Sequence, residues 1–159
     1  MLSIDLSLHS SFLILRMNPL PIENEQEASV AILFACLLGQ NKSLEQNQVE
    51  HLSHMLVHSS KFKGYSLHDL VVKVVPLFST ISNKIVIEES APYITEGFRE
   101  TLFAMICEIM TNDGALNDSE SEIVGLAALY LGLSIESMRG MLTTFLIRNR
   151  WNVNLVDPL

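Results

Sequence analysis

The stretch TNDGALNDSESEI, residues 111–123, combines an Asp-Gly pair with further carboxylates, the residue types that bind divalent cations. Such a cation needs oxygen ligands that converge from more than one backbone element. If one helix ends near Asp113 and the next begins near Glu120, the two side chains can meet across the turn. Asp113 and Glu120 are therefore the candidate metal ligands, and a divalent metal ion is the candidate cofactor.

The same stretch also has the pattern of a turn followed by a capped helix. Glycine at position 114 tolerates positive φ, and Asp113 can accept hydrogen bonds from nearby backbone amides. Asn117 fits an N-cap with Glu120 three residues later, where the helix dipole favours a negative charge. An EF-hand is excluded, because Gly114 as its sixth residue would place Ile109 at the first ligand position.

A second group of possible ligands is the histidine series His51, His54 and His58, which helical spacing places on one stripe. Imidazoles in such a stripe suit zinc, copper or nickel. The alternatives are partly buried histidines at the edge of a helix, or a surface site without a physiological role. The role of the stripe stays open at this point.

Composition limits the classes of function. At 159 residues the chain is long enough for one domain with its own core. A formal charge of −8 and a pI near 5.0 argue against a nucleic-acid surface, which requires a basic patch. Cys36 and Cys107 lie in apolar runs without a CxxC motif, which indicates reduced core thiols in a cytoplasmic protein.

The N-terminal 27 residues are predicted to be an arm outside the main domain. Their apolar run is too short to cross a bilayer, and its one cation, Arg16, follows the run, unlike in a signal peptide. The arm either packs on the body or lies upstream of a start at Met17. We expect no membrane insertion.

Apolar residues recur at helical spacing through residues 28–159, which predicts a single all-α domain. The IVIEE segment is ambiguous and is interpreted as a short helix or connector that ends near Pro92. The last helix is expected to extend to Trp151, with that indole docked on the body of the protein. The methionines of the apolar runs are expected to pack in the core: Met105, Met110, Met138 and Met141.

The two halves of the chain resemble each other. With an offset of 72, LLGQNKSLEQNQVEHL at 37–52 aligns with IMTNDGALNDSESEIV at 109–124. This predicts a bundle of two pseudo-repeated three-helix units, residues 28–80 and 95–150, related by a pseudo-twofold axis.

An apolar helix that leads into Asp113, Gly114, Leu116 and Glu120 at the head of the next helix resembles the TerB-type tellurite-resistance proteins. With the repeat, the resemblance covers residues 28–150. It implies an all-helical, non-enzymatic, bacterial protein of tellurite resistance and wider stress responses, whose acidic residues bind a metal or another ligand.

The first half departs from this pattern, since Asn41, Lys42 and Gln48 occupy the positions of Asp113, Gly114 and Glu120. A site that drew carboxylates from both halves would retain only its second half here.

Catalytic signatures are absent from the sequence, which contains no nucleophile elbow, P-loop or GxGxxG fingerprint. We therefore expect a binding protein. The first hypothesis is a stress-response protein that binds a divalent cation or small ligand at Asp113 and Glu120. The alternative is a helical interaction module without metal, which binds a protein partner or a second copy of itself. An enzyme, the third possibility, would need a deep pocket with converging polar groups.

Overall fold

A computed structural model describes residues 20–39 and 46–152 of the chain. The first nineteen residues, which include Met1, Met17 and most of the predicted arm, lie outside the described residues, as do Asn41 and Lys42.

The described residues form seven α-helices and no strand, so the all-α prediction is confirmed for them. Three short 3-10 helices, Ser60–Phe62, Val75–Ser79 and Ala91–Tyr93, connect some of them. None of the described helices is both long and apolar enough to span a bilayer. The α-helices are α1 (Glu25–Leu38), α2 (Gln46–Val57), α3 (Leu67–Val74), α4 (Asn83–Ser90), α5 (Glu96–Met110), α6 (Asp118–Tyr130) and α7 (Ile135–Asn149).

Helix α1 lies at the centre of the fold. Every residue from Glu27 to Leu37 is buried, as expected for a helix that is apolar around its whole circumference. It contacts α3, α4, α5 and α6. The two free cysteines are buried in this core, Cys36 on α1 and Cys107 on α5. Burial raises the pKa of both thiols to about 12, which keeps them protonated and unreactive.

The beginning of α1 is fixed by charged contacts from three other segments. Thr95 donates from its backbone amide (3.1 Å) and its hydroxyl (2.8 Å) to Glu25, which also forms an ion pair with Lys61 at 3.1 Å. Lys73 of α3 lies 3.0 Å from Glu27. Burial raises the pKa of Glu25, but the Thr95 hydrogen bonds and Lys61 outweigh this effect, and the net shift is downward.

Helices α5, α6 and α7 follow one another along the chain, and α5 contacts both α6 and α7. Arg99 and Ser137 line one cleft at the first turns of α5 and α7, and Asn149 at the end of α7 bonds to Thr111 just after α5. Met110 is buried, and the other three methionines pack partly buried against the core, as predicted from the sequence.

The helix boundaries follow the predicted offset. Moving α1 and α2 by 72 residues gives 97–110 and 118–129, each within one residue of the bounds of α5 and α6. Helix α3 is shorter than α7, because a 3-10 helix with Pro76 near its start takes over directly after it. The pseudo-twofold relation between the halves stays a prediction.

Candidate functional site

The acidic loop, residues 111–117, connects α5 to α6 and begins with a turn built around Gly114. Gly114 has a φ of +83°, in the left-handed region that favours glycine. The exposed Asp113 accepts a hydrogen bond at its Oδ1 from the backbone amide of Ala115, at 3.2 Å. This carboxylate therefore stabilises the turn that contains it.

The end of the acidic loop is a capping box. The Glu120 amide donates to Asn117 Oδ1 at 2.7 Å, and the Asn117 amide donates to Glu120 Oε1 at 3.4 Å. Sequence reasoning identified both partners of this motif, Asn117 at the N-cap and Glu120 at the third helical position. One oxygen of each predicted metal ligand thus already accepts a hydrogen bond from a backbone amide.

The end of α7 holds the acidic loop in place. The buried Thr111 hydroxyl donates to the Cys107 carbonyl at 2.6 Å and accepts from Asn149 Nδ2 at 3.0 Å. Asn152 donates to the Asn112 carbonyl at 3.1 Å. The acidic loop and the end of α7 consequently form one packed unit.

Asp113 lies in the acidic loop and Glu120 is the third residue of α6, the positions that the sequence predicts. Within residues 20–39 and 46–152, no group of three or more His, Cys, Asp or Glu side chains is placed to hold one metal ion. The pair alone offers fewer oxygens than the six to eight that Ca²⁺ takes, so water would supply the others. Metal binding at Asp113 and Glu120 stays a prediction.

The histidine stripe divides into two different contacts. His51 on α2 lies 3.4 Å from the Glu108 carboxylate of α5, which connects the two helices. The rings of His54 and His58, both exposed, lie with their centroids 4.5 Å apart. The three imidazoles therefore do not act as one cluster.

A cleft of about 350 Å³ lies between the first turn of α5 and the start of α7. Its guanidinium, from Arg99, already donates to the carbonyls of Ile94 (3.1 Å) and Leu131 (3.3 Å). The Ser134 hydroxyl caps α7 by accepting from the Ser137 amide at 3.1 Å. Two carboxylates, Glu96 and Glu100, line the cleft together with Ser134 and Ser137.

The outer face of α7 carries apolar side chains in contact with solvent. Ile147 is 55% exposed and Trp151, just past the helix, is 86% exposed. The prediction that Trp151 docks on the body is wrong. Helix α7 ends at Asn149, whose side chain turns inward to Thr111, and the chain that follows leaves the indole outside. Sequence periodicity cannot reveal this, because the inward contact is between residues 38 positions apart.

Compared with protein-family models, with curated proteins and with solved structures, the chain gives no match. The resemblance to the TerB-type proteins therefore depends on the sequence pattern alone.

Proposed function

We propose that this protein is a non-enzymatic helical interaction module that pairs with a second copy of itself through the outer face of α7. The observation that carries the proposal is the exposure of two large apolar side chains at the end of α7, Ile147 in its last turn and Trp151 just past it. Large aromatic side chains are the residues that most often anchor protein interfaces, and an indole exposed in a monomer gains most from being covered.

The charge around these two side chains supports a second copy as the partner. Residues 135–151 contain three arginines and one acidic residue, in a chain with a formal charge of −8. The three arginines are exposed, and none of them forms an ion pair with another described residue; they are Arg139, Arg148 and Arg150. A basic helix end in an acidic protein is complementary to the acidic surface of another copy.

The position of the acidic loop adds to this argument. The basic end of α7 and the acidic loop are neighbours within one protomer, because Asn152 bonds to Asn112. In a twofold pair each surface patch meets its own copy, so neighbouring opposite charges can satisfy each other reciprocally. Arg148 and Arg150 of one protomer would then face the exposed Asp113 and Asp118 of its partner.

Sedimentation equilibrium between about 1 μM and about 1 mM tests the pairing, with tryptophan fluorescence as a second measurement. Trp151 is the single tryptophan of the chain, so its emission reports on this face alone. We expect a dimer with blue-shifted emission at high concentration. Ile147→Ser and Arg148→Glu should both shift the equilibrium toward the monomer.

Leu129→Ser is the matched control, because Leu129 is a similarly exposed aliphatic residue (68%) on α6. It should leave the association unchanged. A wild-type protein that stays monomeric at every concentration, or a loss of pairing in the Leu129 variant equal to that in the Ile147 variant, would contradict the proposal.

The second candidate function is the cation-binding, cytoplasmic stress-response role that the TerB resemblance implies. It is favoured by one observation, the attachment of the acidic loop to α7 at Thr111 and Asn112, which fixes the backbone next to Asp113. Calorimetry with Ca²⁺, Mg²⁺ or Mn²⁺ should then show saturable binding that Asp113→Asn removes. The absence of any binding heat with these three cations would exclude this role.

A further inference from the structure

His54 and His58 lie four residues apart at the end of α2, and both side chains are exposed. The backbone is still helical between them, since the His58 amide bonds to the His54 carbonyl at 3.3 Å. Their rings project from the same side of the helix, with centroids 4.5 Å apart and planes inclined at 55°. Two imidazoles on adjacent turns, four residues apart, have the spacing with which helices present paired histidines to zinc.

The separation of the rings is close to what chelation requires. With metal–nitrogen bonds of about 2.0–2.1 Å and tetrahedral angles, two imidazoles on one ion have centroids roughly 5 Å apart. The observed centroid distance of 4.5 Å is close to this value, so the two rings lie near enough to each other to bind one ion.

The contacts of the neighbouring groups define how many ligands are present. His51, one turn earlier, lies against Glu108, and Glu50 accepts a hydrogen bond from Gln46 at 3.1 Å. Among the described residues no third His, Cys, Asp or Glu is placed to complete the set. The ion would thus have two protein ligands, with its other positions open to water or to a donor from another molecule.

We propose that His54 and His58 form a two-imidazole site for a borderline transition-metal ion, Zn²⁺, Ni²⁺ or Cu²⁺, on the exposed side of α2. Such ions prefer imidazole nitrogen, whereas Ca²⁺ and Mg²⁺ prefer carboxylate and carbonyl oxygen. This site differs from the acidic loop in its ligands, its element and its metal. It also requires neither pairing of two copies nor the cation site at Asp113.

Calorimetric titration of the full chain with NiCl₂, and separately with ZnCl₂, tests the site. We expect one ion per chain. Both His54→Ala and His58→Ala should abolish the saturable binding heat, because each leaves a single imidazole. Both side chains are exposed, so the helical circular dichroism of these variants should equal that of the wild type.

Two matched variants are the controls. His68→Ala removes a lone exposed histidine of α3, and Asp113→Asn alters the acidic loop. Both should bind nickel with wild-type affinity. The proposal is overturned if the wild type shows no saturable binding, or if His54→Ala or His58→Ala binds as tightly as the His68 variant.

Discussion

Gly114→Ala should destabilise the fold more than Gly64→Ala. Both glycines have a positive φ that disfavours a side chain, but only Gly114 also has backbone atoms close to where a Cβ would lie. Both glycines lie in the left-handed region, with φ of +83° and +86°. A Cβ at position 114 would lie 2.8 Å from the Asn149 carbonyl oxygen and 3.1 Å from the Arg150 Cα, both backbone atoms of the segment that ends α7. A Cβ at position 64 would have no heavy atom within 4 Å.

The expected loss of unfolding free energy is the sum of the penalty for the positive φ and the penalty for the close backbone contact. An L-residue forced into the left-handed region loses roughly 1–2 kcal/mol. Overpacking against a backbone that must move adds roughly 1–3 kcal/mol. Gly64→Ala should therefore lower the free energy of unfolding by about 1–2 kcal/mol, and Gly114→Ala by about 2–5 kcal/mol. The entropic effect of alanine on the unfolded chain is common to both variants and cancels in their difference.

Urea unfolding of the two variants beside the wild type measures this difference, provided that the slopes of free energy against urea agree. A difference of about 1–3 kcal/mol between the variants is the contribution of the contact between the acidic loop and α7. Equal losses of unfolding free energy for Gly114→Ala and Gly64→Ala would mean that the acidic loop does not pack against Asn149. The acidic loop would then not be held in place by the end of α7.

Three further predictions concern polar groups in the core and at its edge. Thr111→Val leaves the buried Asn149 amide without its acceptor, so urea unfolding should show a loss of about 1–3 kcal/mol; an unchanged midpoint would contradict the buried bond. Glu25 has a lowered pKa, so its stabilising effect is complete above the ordinary value of 4.5 and is lost as the pH falls through the folded-state value. Glu25→Gln should therefore lower the free energy of unfolding at pH 7 by about 1 kcal/mol, and this free energy should fall less steeply below pH 4.5 than in the wild type. The same pH dependence in variant and wild type below pH 4.5 would refute this. The buried Ser29 hydroxyl has no hydrogen-bond partner among the described groups, so Ser29→Ala should keep or raise the melting temperature, and a clear decrease would reveal a partner.

The helices could be predicted wherever the signals along the chain agree. Ser66, Asn117 and Ser134 each accept a hydrogen bond from the amide three residues later, as their sequence contexts indicate. The IVIEE segment was ambiguous because three consecutive β-branched residues hide the helical period. In the structure it is α4, capped by Ser82 at the Ile85 amide.

The candidate site was predictable in its local part only. The Asp113 turn and the Glu120 capping box depend on residues two or three positions apart, so the sequence contains the whole pattern. The attachment of the acidic loop to α7 depends on Thr111 and Asn149, which are distant in sequence. Trp151 lies two residues after Asn149 and is exposed, and sequence periodicity, which reports only local spacing, gave the wrong prediction for it.

The burial of α1 from Glu27 to Leu37 also affects how the chain folds during its synthesis. This segment has no polar side that could face water before the helices that cover it have been synthesised. One of these helices, α6, ends at Tyr130, roughly ninety residues after Leu38. At synthesis rates of about 5–20 residues per second, the nascent chain must keep this apolar segment from aggregating for about 5–18 s. We therefore expect chaperones that bind nascent chains to bind α1 before any other helix of residues 20–39 and 46–152.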